Sequence, residues 1–121
     1  MGADRDRPGD AQVSGALHPN EVDRKRIERA LEQRRRYRYV APRVLPESGG
    51  YRIESPCCSR TVDRDGGLID IARLEYLPAR RAWRLYRRDH GTARWLVEGE
   101  CFTLKAALNE LNEDPRRLFW R

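Results

Sequence analysis

The chain has 121 residues, enough for one domain at most, with 36% charged residues and a mean hydropathy of −0.89. No run approaches the roughly eighteen apolar residues of a membrane helix, and Met1-Gly2-Ala3-Asp4-Arg5-Asp6 lacks the apolar segment of an export signal. The expectation is therefore a soluble, cytoplasmic protein without a membrane partner. A net charge of +6 and a pI of about 9.7 point to nucleic acid or an acidic protein as partner. Only Lys25 and Lys105 are lysines, however, and such an arginine skew is also what a GC-rich coding sequence produces.

Residues 1–19 are rich in Asp, Arg, Gly and Pro and are expected to form a disordered tail, leaving 20–121 as a single domain. Asn20 is a good helix cap, with Glu21 and Asp23 favourable in the first turn. Ile27, Ala30 and Leu31 then form a narrow apolar stripe, which predicts a helix over about residues 21–36. Residues 37–45 read as extended or irregular, stopped by Pro42 and Pro46. Ser48-Gly49-Gly50 is a turn, Tyr51–Ser55 a short strand, and Ser59–Val62 a weaker one ended by Asp65-Gly66-Gly67.

Residues 68–97 hold three apolar-aromatic runs separated by short polar breaks, the pattern of an antiparallel meander. In the first strand, 69–77, Ala72, Leu74 and Tyr76 share one face, with Ile71, Arg73 and Glu75 on the other. Trp83, Leu85 and Arg87 alternate with Arg84, Tyr86 and Arg88 in the second, and Trp95 and Val97 share a face in the third. Thr103 caps a closing helix with Leu104, Ala107, Leu108 and Leu111 on one side, stopped by Asp114-Pro115. The apolar ending Leu118-Phe119-Trp120 is expected to dock on the core. The fold class is α+β: an antiparallel sheet of four to five strands, with a central three-stranded meander, flanked by an N-terminal and a C-terminal helix.

Ile71-Ala72-Arg73-Leu74-Glu75-Tyr76, Trp83-Arg84-Leu85-Tyr86, Leu111-Asn112-Glu113-Asp114-Pro115 and Phe119-Trp120 together resemble the bacterial domain of unknown function 3024. Arg26–Leu31 and Gly50–Glu54 are similar too, so the likeness spans roughly residues 21 to 121. It implies a small bacterial single-domain protein with no established activity, and so carries over no catalytic residue. Pro56 to Gly67 departs from the family pattern, with Pro-Cys-Cys-Ser-Arg-Thr in place of a plainer strand.

Two constellations are left to carry chemistry. Cys57 and Cys58 are adjacent, with Cα atoms about 3.8 Å apart, too close for the usual disulfide. Their spacing also fails the two-pair pattern of structural zinc, since only Cys101, His18 and His90 remain as further ligands. Nearby Arg60 and Arg64 favour a thiolate, so a thiol-dependent enzyme or redox protein is one reading and a pair of inert small residues another. Asp63, Asp65 and Asp70 lack the closing Glu of a calcium loop. No metal, cofactor or phosphate-loop motif is present in the sequence.

The arginines form two groups: Arg34, Arg35, Arg36 and Arg38 at the end of the first helix, and Arg80, Arg81, Arg84, Arg87, Arg88 and Arg94 in the hairpins, of which Arg84, Arg88 and Arg94 are the leading candidates. Tyr37, Tyr39, Tyr86 and Trp95 lie among them, a mixture suited to holding phosphates and stacking bases, or simply to a solvated face. The leading expectation is a binding module for nucleic acid or an acidic partner, more a binder than an enzyme. The thiol reading is second. A structural or oligomerising role with Phe119-Trp120 as the contact is third.

Overall fold

The computed structural model of the chain describes residues 17–38, 40–56 and 67–120. The expected tail over 1–16, the weaker strand at Ser59–Val62, Asp63, Asp65, Tyr39, and the pair Cys57 and Cys58 lie outside the described residues.

Helix α1 covers Glu21–Leu31, and five strands follow: β1 (Arg43–Glu47), β2 (Gly50–Pro56), β3 (Leu68–Leu77), β4 (Ala82–Asp89) and β5 (Arg94–Cys101). They form one antiparallel sheet in the order of the chain, and α2 (Leu104–Glu113) closes the fold. Ile27 and Leu31 of α1, and Leu104, Ala107, Leu108 and Leu111 of α2, are buried with Tyr51, Ile53, Ala72, Leu74, Trp83 and Leu85 of the sheet. Both helices thus cover the same face, α1 beside β1 and α2 over β4 and β5. The α+β expectation holds, with five strands.

Four local readings change. The first helix ends at Leu31 instead of Arg36, because Arg34 turns its guanidinium back onto the carbonyls of Leu31 (2.9 Å), Tyr37 (2.6 Å) and Val40 (2.5 Å). A side chain that fills the place of the next helical N–H groups ends the helix. The segment read as extended or irregular is extended from Arg43, and Pro46 does not stop it: Arg43–Glu47 pairs with β2 as an edge strand, a place that tolerates proline. Ile71 is buried although it neighbours Ala72, because the β2–β3 register shifts between Ile53 and Glu54 and leaves Ile71 without an opposite residue. Such a bulge breaks the two-residue period that assigned the faces. The expected tail boundary at residue 19 also cuts into the fold, since the His18 side chain is only 6% exposed.

The two helices run in the same direction. Leu104 at the start of α2 lines the same groove as Val22 and Asp23 at the start of α1. At the far end the Arg35 N–H donates to the Asn112 carbonyl (3.0 Å), and the Asn112 amide donates to the Ala30 carbonyl (2.9 Å). Beyond α2, Asp114 adopts a left-handed conformation (φ 40°) and its buried carboxylate accepts the N–H groups of Leu118 (2.7 Å), Phe119 (3.2 Å) and Trp120 (2.8 Å). This turns the terminal residues inward. Phe119 and Trp120 are buried, and the Trp120 indole donates to the Leu111 carbonyl (3.0 Å). The expected docking is present, so these two rings are not an exposed contact for a second copy.

Asp114→Ala leaves three N–H groups without their charged acceptor and is expected to cost about 3 kcal/mol of unfolding free energy in urea. Trp83→Ala, which empties the centre of the core, is expected to cost about 3–5 kcal/mol by the same measurement. A loss under about 1 kcal/mol in either variant contradicts the packing described.

Candidate functional site

The face of the sheet away from the helices is a lattice of opposite charges. Arg52 on β2 reaches Glu47 (2.9 Å), Glu54 (3.0 Å) and Asp70 (2.8 Å), carboxylates that hold its pKa above the ordinary arginine value. Arg73 on β3 bonds Glu47 (2.9 Å), and its guanidinium lies 5.2 Å from the centre of the Tyr86 ring. The Tyr86 hydroxyl donates to Glu75 (2.6 Å). Arg84 donates to Glu100 (2.7 Å), as does Arg80 (2.6 Å), and these two guanidinium groups push the Glu100 carboxyl below its ordinary value. Arg88 lies 3.6 Å from Asp70 and stacks 4.9 Å over Trp95. Antiparallel register places these residues opposite one another, Arg84 against both Glu75 and Glu100, and Arg88 against Trp95.

The sequence-selected residues Arg84, Arg88 and Tyr86 therefore share this face, and each already holds a carboxylate. Arg94, at the start of β5, is exposed and has no carboxylate partner among the described residues.

The other arginine group behaves differently. Arg34 is only 4% exposed and lies 4.9 Å over the Trp120 ring. Its expected place on a binding surface is corrected: it is an internal cap. Arg35 and Arg38 are exposed, and Arg36 reaches across to donate to the Asp114 carbonyl (3.2 Å), which also accepts the Arg117 N–H (3.1 Å). Arg35 pairs with Glu113 (2.7 Å) on the surface. The parallel helices thus bring Arg116 and Arg117, from the last turn of the chain, to the same end as Arg35, Arg36 and Arg38.

The opposite end carries a groove of about 870 Å³ that the sequence did not single out. Its floor is His18, whose ring lies 4.9 Å from Tyr76 and 4.7 Å from Trp83, and its mouth is formed by Leu17, Val22 and Phe102, all exposed. The Tyr51 hydroxyl lies 3.0 Å from His18 Nδ1, accepts the Asn20 N–H (2.9 Å), and lies 3.3 Å from the Asn20 carbonyl. The Asn20 side-chain nitrogen, which can only donate, lies 3.4 Å from the same Nδ1, and with Nδ1 as the acceptor the neutral ring carries its proton on Nε2. His18 was read as a residue of the tail and as a spare ligand for a zinc pattern that is not met. A signal was available, since His18-Pro19 directly precedes a strong helix cap and an aromatic ring there packs back onto the fold.

Cys101 is half-buried, and burial, aided by the nearby Glu110 charge, raises its thiol pKa and keeps it protonated. Among the described residues no group of three or more His, Cys, Asp and Glu side chains is placed to hold a metal ion, and no helix is long and apolar enough to cross a membrane.

The family model described as domain of unknown function (DUF3024) matches residues 16–121. The chain belongs to that family. The match starts beside Leu17 and His18, so the groove, the basic end and the charge lattice all fall within the DUF3024 domain. No curated protein and no solved structure matches the chain.

Burial holds the His18 pKa below its ordinary 6.5, although the Asp23 carboxylate 3.6 Å away pulls in the opposite direction. The unfolded chain then binds the proton more readily than the folded one. This contribution to stability is complete above about pH 6.5 and is lost progressively as the pH falls from there through the lower pKa of the folded state. Urea unfolding at about pH 7.5 and about pH 5.5 is expected to show a smaller loss in His18→Gln than in the natural chain. An equal loss in both would remove His18 from this role.

Proposed function

We propose that the protein is a binding module that contacts nucleic acid through the basic end where both helices terminate. The observation that carries this reading is that Arg35, Arg36 and Arg38 lie at the same end of the fold as Arg117, from a segment almost eighty residues away in sequence, with Arg36 donating to the Asp114 carbonyl that also accepts the Arg117 N–H. Arg38 and Arg117 are exposed and have no carboxylate partner among the described residues, and Arg35 has a single exposed one in Glu113. Guanidinium groups left with few carboxylates are free to hold phosphate oxygens in forked hydrogen bonds. The sheet arginines Arg84 and Arg88 contribute less, because a phosphate would have to displace Glu100 or Asp70 and would meet their negative charge. Arg94 extends the positive surface at the sheet edge.

Contacts to four or five phosphates release counterions and give a log–log salt slope of about −4 on duplex DNA. Mobility shifts of labelled RNA and DNA across a salt series should show that dependence. In the triple variant Arg35→Ala, Arg38→Ala, Arg117→Ala the slope should become shallower by about three units, whereas Arg84→Ala should leave it nearly unchanged. A flat salt dependence, or no shift at low salt, rules the reading out. Binding of polyglutamate without binding of nucleic acid would assign the surface to an acidic protein instead.

A further inference from the structure

The groove at the starts of the two helices is apolar at its walls and rich in hydrogen-bond donors. His18 Nε2 has no hydrogen-bond partner among the described residues, although the side chain is nine-tenths buried and lines the groove. Arg81, held at φ 51° in the β3–β4 turn, also lines it and has no carboxylate partner among the described residues. The acceptors nearby are already taken. Asp23 accepts from Arg26 (2.9 Å), Asn20 Nδ2 (3.1 Å) and, through its own N–H, donates to Asn20 Oδ1 (2.8 Å), and Glu21 is held by Arg24.

Both helix N-termini point here; Glu21 and Asp23 in the first turn of α1 offset its dipole, whereas the first turn of α2 contains Lys105 and no acidic residue. A site with apolar walls and spare donors, whose nearby carboxylates are already paired, selects a ligand with an apolar body and a negative head. Its volume suits a small molecule.

We propose that this groove is a binding site for a small aromatic carboxylate, its ring packed between Trp83 and Phe102 and its carboxylate held by Arg81 and the His18 Nε2–H. The aromatic body is favoured by the ring-on-ring packing already present between His18, Tyr76 and Trp83. The Asn20 amide beside Nδ1 favours the tautomer that donates from Nε2 toward the ligand. The site stands apart from the basic end by the length of α1, which at 11 residues is about 16 Å.

The full chain, isotope-labelled, is titrated with phenylacetate and separately with phenylacetamide, reading the Trp83 indole N–H and the His18 ring signals. Saturable shifts are expected with phenylacetate, with at least about tenfold weaker binding of the neutral amide. Arg81→Gln should reduce phenylacetate binding to the level of the amide, and Phe102→Ser should weaken both probes; both side chains are exposed, so the fold is kept. Equal binding of acid and amide, an unchanged Arg81→Gln variant, or no shift at millimolar phenylacetate overturns the proposal. Shifts confined to Arg35 and Arg117 would also overturn it, because they place the anion at the other end.

Discussion

Two helices laid side by side in the same direction bring their unbonded carbonyl groups, and the negative ends of their dipoles, to one place. Four carbonyls at the end of each helix lack an internal partner, and parallel packing doubles that demand within a small volume. The chain answers with side-chain donors. Arg34 serves the end of α1, the Asn112 amide reaches across to Ala30, Trp120 donates to Leu111, and Arg36 donates to Asp114. Trp120 occupies its site because Asp114 gathers the backbone beyond α2, and Arg34 lies against the Trp120 ring. The terminal residues are therefore part of the core, and the positive charge at this end begins as a structural requirement. What a partner would use is the remainder that those duties do not consume.

The same distinction separates the two arginine groups. Net charge counts every guanidinium alike, whereas geometry shows which are already matched. On the open sheet face, Arg52, Arg73 and Arg84 alternate with Glu47, Glu54, Asp70, Glu75 and Glu100, and the strands hold them in register. Individually, exposed pairs of this kind contribute little to stability. Collectively they lower the excess of positive potential over that face. A basic isoelectric point thus comes from a surface that is partly close to balanced and partly not.

Much of this was legible in the sequence where one rule acted alone. Asn20 and Thr103 as caps, the α2 stripe and the three-run meander all came from local pattern, and local pattern decided them. The misreadings fall where a distant residue overrode it. Arg34 to Arg36 continued a plausible basic helix end until the Trp120 ring and three carbonyls took Arg34 out of it. Ile71 obeyed the pleat until a bulge shifted it, and Pro46 looked like the stop of an extended segment when it lies inside an edge strand. The packing of His18 depends on distance in the same way: its partners Tyr51, Tyr76 and Trp83 lie on three strands far along the chain, and only its place before a strong helix cap hinted at it. Asp114 was read as a stop before proline, which is correct, but its work as an anion for three amides depends on a chain reversal that spacing does not encode. The opposed placement of groove and basic end was likewise beyond reach, since it follows from helix direction.

The bulge where β5 crosses from Gly99 to Val97 has a bearing on how the molecule behaves among its own copies. An open five-stranded sheet has two free edges, and a free edge invites further strands to add by backbone pairing. Here the β1 edge contains Pro46, which has no N–H to offer, and the β5 edge is interrupted at Glu98, whose carboxylate is held by Arg87 and Arg116. An incoming strand would find an absent donor on one side and a broken hydrogen-bond spacing on the other. The sheet is closed to growth without being closed into a barrel, which guards a small, open, ribbon-shaped core against polymerisation.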